Sequence, residues 1–73
     1  MAKRDHLGEI FGRNVSKTRS QIGLTQALLA EKTGISTRYL QKIESGEKIP
    51  SLPTLLKIQQ VLKVDWNDLF KGL

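Results

Sequence analysis

The chain has 73 residues, a length that accommodates one domain and is too short for two. It contains no cysteine and a single histidine, His6, which excludes a disulfide framework and a metal site built from cysteines or several histidines. Basic residues outnumber acidic ones by 12 to 7, which gives a formal net charge of +5. This charge favours a polyanionic partner, nucleic acid above all, with ordinary solubility as the alternative explanation.

The chain shows no sign of a membrane or export segment. No stretch approaches the roughly 18 apolar residues of a membrane span. The basic start at residues 1–13 is not followed by the apolar core of a signal peptide. We therefore expect no membrane association, and the absence of cysteine suits a reducing cytoplasm.

The first predicted helix covers about residues 5–22. Its apolar residues recur near one stripe at helical spacing: Leu7, Ile10, Phe11, Val15 and Ile22. Gly23 follows as a natural C-terminal stop. A Gly-x-x-x-Gly pattern at positions 8 to 12 lies within this charged helix, and we give it no functional weight.

Two short helices are predicted next, separated by a tight turn. Thr25 is the N-cap of the second helix, in which Leu29 and Ala30 face inward, and Gly34 ends it. Ser36 caps the third helix, which Gly46 stops, and its apolar face consists of Tyr39, Leu40 and Ile43. Such a turn lets the third helix cross the second at a large angle and protrude. Its exposed side can then enter a major groove.

A fourth helix is predicted after Ser51, with Pro53 in its first turn, where a missing N–H costs little. Its broad apolar face comprises Leu52, Leu55, Leu56, Ile58, Val61 and Leu62. Asp65 caps a last helical turn at residues 66–70. Because alternation of apolar and polar residues never persists, no strand is predicted. The expected fold is a compact all-α bundle of five helices.

The stretch from residue 23 to residue 64 resembles the DNA-binding domain of lambdoid phage repressors and of the wider Xre-type regulators. The resemblance covers about residues 7–70. Its markers occur in order along the chain: Leu24-Thr25-Gln26, Leu29-Ala30, Gly34-Ile35-Ser36, Leu40, Ile43-Glu44, Gly46, Pro50-Ser51-Leu52, Leu55-Leu56 and Asp65-Trp66. It implies that residues 1–73 form a single helix-turn-helix domain with its core at about residues 25–45.

The resemblance assigns DNA-binding roles along the third helix. Thr37 and Arg38 would face base edges, and Arg38 would grip either a guanine or a phosphate. Lys42, one turn on, is the next residue expected at a base. Gln41 projects more to the side, toward the DNA backbone. Tyr39 has two open roles, as part of the inner apolar edge and as a phosphate ligand through its hydroxyl.

Further DNA-binding residues are implied outside this helix. Gln26, in the first turn of the second helix, would contact a phosphate and brace the third helix. Ser36 is a cap first and a phosphate or base contact second. Ser45, Lys48 and the amides after Gly46 resemble a loop that contacts the DNA backbone, which positions the protein without reading sequence.

Two positions have structural implications. Arg19 and Glu44 match positions that form a buried ion pair in the phage repressor domains, so we expect them to tie the first helix to the end of the third. Leu28 departs from the family pattern, which has a glutamate there that completes a capping box. Three roles for Leu28 remain open: exposure to solvent, packing on the N-terminal segment, and contact with a partner.

Dimerisation is expected because one such module covers only a few base pairs. Apolar surface for an interface is best supplied by parts of the fourth helix and by Trp66, Leu69, Phe70 and Leu73. Leu69 and Leu73 are the preferred interface residues, whereas Trp66 is expected to close the bundle.

The expected function is a sequence-specific transcriptional regulator of the Xre family. It would bind operator DNA as a homodimer with its third helix in the major groove. Two alternatives are an antitoxin that binds DNA and a toxin, and a protein-interaction module with the same fold. Scattered carboxylates and the lack of a nucleophile–base pair argue against an enzyme. No cofactor, metal or small-molecule ligand is expected.

Overall fold

The computed structural model describes residues 6–73. This part of the chain forms five α-helices and no strand. In chain order they are α1 (His6–Gln21), α2 (Gln26–Thr33), α3 (Thr37–Ser45), α4 (Leu52–Leu62) and α5 (Trp66–Leu69). The all-α prediction is confirmed, and the predicted helix start at residue 5 lies outside the described residues. No helix within residues 6–73 is long and apolar enough to cross a bilayer.

One hydrophobic core draws on every helix. Its buried apolar side chains lie at helical spacing along each element: Phe11 and Val15, Leu29 and Ala30, Leu40 and Ile43, Ile58 and Leu62, and Leu69. The predicted stripe on α1 is only partly right, because Leu7 and Ile22 are 42% and 48% exposed. They lie at the two ends of α1, beyond the section that the other helices cover.

The close crossing of α1 and α3 depends on Gly12. A Cβ at this position would lie 2.2 Å from the carbonyl oxygen of Ile43 and 2.7 Å from that of Glu44. Both atoms belong to the backbone of α3, so no side-chain rotation could relieve the overlap. The glycine therefore allows α1 to approach α3 at a distance that no other residue permits, a role that the spacing pattern in the sequence did not reveal.

The turn between α2 and α3 has the predicted caps. Thr25 Oγ1 accepts a hydrogen bond from the Leu28 N–H at 3.0 Å, and Ser36 Oγ accepts one from the Tyr39 N–H at 3.0 Å. Gly34 ends α2 with a φ of +74°, a left-handed conformation that favours glycine. Residues 34–36 thus stop one helix and start the next, which fixes the direction in which α3 leaves α2.

The predicted apolar face of α4 is too broad. Ile58 and Leu62 are buried, but Leu52 is 65% exposed and Leu56 is 43% exposed. The physical reason is that α4 packs on one side only, chiefly against α2. Ser51 occupies the N-cap position, although its hydroxyl bonds to Thr54 Oγ1 at 3.2 Å instead of capping the helix.

Helix α5 closes the end of the bundle. The Trp66 and Phe70 rings stack at 6.0 Å, and Phe70 lies 5.5 Å from Phe11. The Asn14 amide donates to the Leu69 carbonyl at 2.8 Å, which ties α5 to α1. Trp66 thus has the predicted packing role. Leu69 does not fit its predicted place in an interface, since it is fully buried within the monomer.

Asp65 is the N-cap residue of α5 by backbone conformation. Its carboxylate makes no capping hydrogen bond. The cap that the sequence predicts here is therefore present in position but not in side-chain contact.

Candidate nucleic-acid interface

Helix α3 has one face in the core and one face on the surface. Leu40 and Ile43 are fully buried and hold the helix against the bundle. Within two residues of them in sequence, and so on the other side of the helix, Arg38 and Gln41 are exposed and Lys42 is half-buried. Because these polar side chains are not covered by other helices, the outer side of α3 is open to a large ligand.

The polar side chains of α3 lie on one flank. A shallow surface depression brings together four of them, and Glu47 from the following loop joins them: Arg38, Gln41, Lys42, Ser45 and Glu47. Thr37, at the first position of the helix, is half-buried. Four predicted site residues therefore share one surface, with two cations among them.

Glu47 is a member of this flank that the sequence did not predict. Its Oε1 atom lies 3.5 Å from Ser45 Oγ. The left-handed turn at Gly46, with a φ of +88°, folds the chain back and places Glu47 beside α3. A carboxylate at this position repels phosphate groups and can accept a hydrogen bond from a cytosine amino group.

Hydroxyl groups at the two ends of α3 differ in their availability. The Ser36 hydroxyl accepts from Tyr39 N–H, which leaves its own proton for a phosphate oxygen. The Ser45 hydroxyl instead donates to the Lys42 carbonyl at 3.1 Å. Ser45 must therefore break an internal bond before it donates to DNA. Tyr39 is half-buried and packs against the core, which fits the first of its two predicted roles.

The backbone amides of the loop after α3 bond to the end of that helix. The amides of Glu47 and Lys48 donate to the Lys42 carbonyl at 2.9 and 3.2 Å, and the Gly46 amide donates to the same end of α3. These three N–H groups cap the helix, so a phosphate contact from any of them would compete with a bond inside the protein. The exposed side chain of Lys48 is what this loop offers to a DNA backbone.

A network of charged and polar side chains anchors the C-terminal end of α3. Arg19 grips Glu44 in two places, with Nε 2.8 Å from Oε2 and Nη2 3.1 Å from Oε1. The Arg19 and Glu44 side chains are only 14% and 6% exposed. A third bond from Arg19 Nη1 to the Leu24 carbonyl, at 2.8 Å, completes the guanidinium's contacts. The ion pair implied by the resemblance is present and joins α1 to α3.

Gln26 belongs to the same network. Its Nε2 donates to Glu44 Oε1 at 2.9 Å, so α2 also braces α3. The amide nitrogen carries two protons, and the second is available to a phosphate. One side chain can thus serve both functions that the resemblance implies. The sequence alone did not show that Glu44 is the group that Gln26 braces.

Leu28 lies on the surface of α2. Its side chain is 44% exposed, which agrees with the first of the three roles left open for it. Thr25 still caps the helix through the Leu28 amide, so only the reciprocal half of a capping box is missing.

A helix-turn-helix family model (HTH_3) matches residues 15–69, which include α2 and α3 and most of the core. The chain belongs to this helix-turn-helix family. The resemblance to phage repressor and Xre-type domains is thereby confirmed. The match begins within α1 and ends at the buried Leu69, so the helices that support the interface fall inside it.

Similar regulators occur in several bacteria and a phage. The HTH-type transcriptional regulator YqaE of Bacillus subtilis is 36% identical over 63 residues, or 86% of this chain and 54% of that protein. The cryptic phage CTXphi transcriptional repressor RstR of Vibrio cholerae is 36% identical over 55 residues, or 75% of this chain and 49% of that protein. The chain therefore spans about half the length of these two relatives.

Solved structures show the same fold at nearly full length. The restriction-modification controller protein C.AhdI from Aeromonas hydrophila is 30% identical with a TM-score of 0.81, over 86% of this chain and 96% of that chain. The clp gene regulator ClgR from Corynebacterium glutamicum is 28% identical with a TM-score of 0.85, over 96% of this chain and 90% of that chain. All four names denote regulators, in agreement with the prediction that the chain is not an enzyme.

Proposed function

We propose that this chain is a transcriptional regulator that reads operator DNA by placing α3 in the major groove. The observation that carries the proposal is the two-sided character of α3, with Leu40 and Ile43 buried and a cationic, polar flank exposed. Arg38 and Lys42 are the groups that contact base edges, because both can donate to guanine O6 and N7. Thr37, at the start of the helix, contacts the same strand.

Contacts to phosphates position α3 along the groove. Gln26 and Ser36 lie at the starts of α2 and α3, and each retains a proton for a phosphate oxygen. Lys48 lies just beyond the other end of α3 and adds a charge-based contact. These residues supply affinity that depends on salt, while the outer side of α3 supplies sequence preference.

We further propose that the chain binds as a homodimer to two half-sites about 34 Å apart. Exposed apolar residues at the start of α4 support an interface there: Ile49, Leu52 and Leu56. They adjoin an apolar groove lined by Leu7, Phe11, Ile49, Pro50, Leu55 and Phe70. Leu69 is buried and so is not available for the C-terminal interface that the sequence predicts, and we place the interface at the start of α4 instead. At the C-terminal end, Leu73, which is 56% exposed, is the remaining candidate for an interface residue.

The core that links all five helices supports a single domain for residues 6–73. A cytoplasmic location is part of the same proposal, because a regulator of transcription must reach DNA. The names of two similar proteins, a phage transcriptional repressor and a restriction-modification controller, support a role in the control of transcription.

A mobility-shift experiment tests the proposed function. The protein is titrated onto DNA from upstream of its own gene and onto binding sites selected from random sequence, at low and physiological salt. We expect a retarded band that survives competition by unrelated DNA, and a footprint with two half-sites. A triple variant, Thr37→Ala/Arg38→Ala/Lys42→Ala, should lose this preference, while a Lys71→Ala control at the far end of the chain keeps it. Folded protein that retards no DNA at low salt would overturn the proposal.

A further inference from the structure

A second surface depression lies where α1, α2 and α4 end. It is broad and open, about 670 Å³, and its lining is mostly apolar: Ile22, Leu24, Lys32, Val61, Leu62 and Lys63. Ile22, a bulky aliphatic residue, is 48% exposed. The depression therefore keeps apolar surface in contact with water.

Two lysines flank this apolar floor. Lys32 occupies the last turn of α2, and Lys63 follows the last residue of α4. No acidic side chain contributes to the lining. The depression thus combines apolar surface with a positive charge on two of its edges.

Lys63 has a backbone conformation that favours glycine. Its φ of +56° makes it the one residue other than glycine with a positive φ between residues 6 and 73. Helices commonly end in this conformation with a glycine, as α2 and α3 do here. A lysine at this position strains the backbone and places a cation beside the depression. Backbone outliers of this kind cluster at functional sites, which makes the Lys63 side chain a candidate for contact with a ligand.

The depression shares no lining residue with the flank of α3. Arg38, Gln41 and Lys42 belong to the DNA-facing depression, whereas the second one draws on the ends of the other helices. Helix α2 packs against both α3 and α4 and so separates the two surfaces. A ligand in the second depression can accordingly bind while α3 lies on DNA.

We propose that this depression binds an acidic segment with apolar side chains, contributed by a partner protein. The two lysines complement carboxylates, and the floor of Ile22, Leu24 and Val61 accepts aliphatic or aromatic side chains. A DNA backbone would use the lysines but would leave the apolar floor without a counterpart. The proposal goes beyond DNA binding by α3 and does not depend on it.

The test uses the full chain, labelled with ¹⁵N, and a short synthetic peptide of Glu, Asp, Leu and Phe. We expect saturable chemical-shift changes at Ile22, Leu24, Lys32, Val61 and Lys63. One control peptide carries Lys in place of the acids, and another carries Ser in place of Leu and Phe. Both should bind at least about tenfold more weakly, because each removes one half of the complementarity.

Variants separate binding from stability. Lys63→Gly should raise Tm by a few degrees, since it relieves the positive φ, and yet weaken peptide binding. The double variant Lys32→Gln/Lys63→Gly should bind the acidic peptide about tenfold more weakly. Lys71→Gln, which removes an exposed lysine outside the depression, should leave the affinity unchanged.

Four results would overturn the proposal. The first is the absence of chemical-shift changes at millimolar peptide in low salt. The second is chemical-shift changes confined to α3, where the acidic peptide would bind in place of DNA. The third is a loss of DNA affinity in Lys32→Gln/Lys63→Gly larger than in Lys71→Gln, which would make the surface a phosphate contact. The fourth is conversion of a dimer to a monomer by Ile22→Ser, which would make a second copy the occupant. The first, second and fourth results do not use DNA, so they can still be measured if α3 fails to bind DNA.

Discussion

Replacing Glu44 with alanine is the sharpest test of how α3 is held in place. The substitution removes the carboxylate that accepts two hydrogen bonds from Arg19 and one from Gln26. Arg19 keeps only its bond to the Leu24 carbonyl. Because the Arg19 side chain is 14% exposed, water can replace the lost partners only in part. The variant therefore leaves a mostly buried guanidinium without its counter-charge.

The cost follows from this burial. Breaking a buried ion pair on one side costs about 3–5 kcal/mol, whereas an exposed pair contributes about 1 kcal/mol or less. At about 0.05–0.15 kcal/mol per residue, a domain of this size has a total stability of only about 4–11 kcal/mol. With about 4–8 °C per kcal/mol for small domains, Glu44→Ala should lower Tm by at least about 12 °C.

Thermal and urea unfolding followed by far-UV circular dichroism measure this loss. Glu31→Ala is the matched control, because it removes an exposed carboxylate from α2 and should change stability by less than about 0.5 kcal/mol. The double variant Arg19→Met/Glu44→Leu should recover much of the loss, since it leaves no unpaired charge. If Glu44→Ala and Glu31→Ala unfold within about 1 kcal/mol of each other, the pair does not anchor α3.

Four further variants address DNA binding, the packing of α3 and the dimer. Arg38→Ala should weaken specific DNA binding by about 1–3 kcal/mol and relax the sequence preference at one base pair. Lys48→Ala should weaken binding to all DNA sequences alike and reduce the salt dependence of log K by about one unit. Fluorescence anisotropy at several salt concentrations measures both. Gly12→Ala gains about 1 kcal/mol of helix propensity but forces a Cβ to 2.2 Å from the Ile43 carbonyl, so net destabilisation of about 1–3 kcal/mol is expected in urea unfolding. Leu52→Asp should shift the population toward monomer in sedimentation equilibrium without unfolding the protein, because this leucine is 65% exposed.

The following results would contradict these expectations. Equal loss of specific and nonspecific DNA binding in Arg38→Ala would remove α3 from base recognition. A Gly12→Ala protein as stable as Ser20→Ala, a change on the exposed side of α1, would mean that α1 and α3 can separate freely. An unchanged dimer in Leu52→Asp, with Leu28→Asp as the exposed-leucine control, would place the interface elsewhere.

Local signals in the sequence predicted the helices well. The caps at Thr25 and Ser36 and the stops at Gly34 and Gly46 depend on bonds between residues three to five apart, so neighbouring residues suffice to indicate them. The N-caps at Ser51 and Asp65 were right in position only. Whether a side chain turns back to its own helix depends on competing partners, and Thr54 is such a competitor for Ser51.

Burial was predicted less well wherever a helix had apolar residues on more than one side. Leu52 and Leu56 have the same residue type as the buried Leu62, and periodicity cannot rank them. Leu69 was assigned to an interface and lies in the core, because α5 folds back onto α1 through the Asn14 bonds. Those bonds join residues more than fifty positions apart.

The sequence by itself determined that the chain is helical, where the turn between α2 and α3 lies, and which family the chain belongs to. Each of these follows from neighbouring residues and their spacing. Only the tertiary structure decided that Gln26 shares Glu44 with Arg19, that Gly12 sets the approach of α1 to α3, and that Glu47 joins the polar flank of α3. The physical reason is distance along the chain. Contacts between separate helices depend on the angle and distance at which those helices cross, and a local sequence pattern does not determine either quantity.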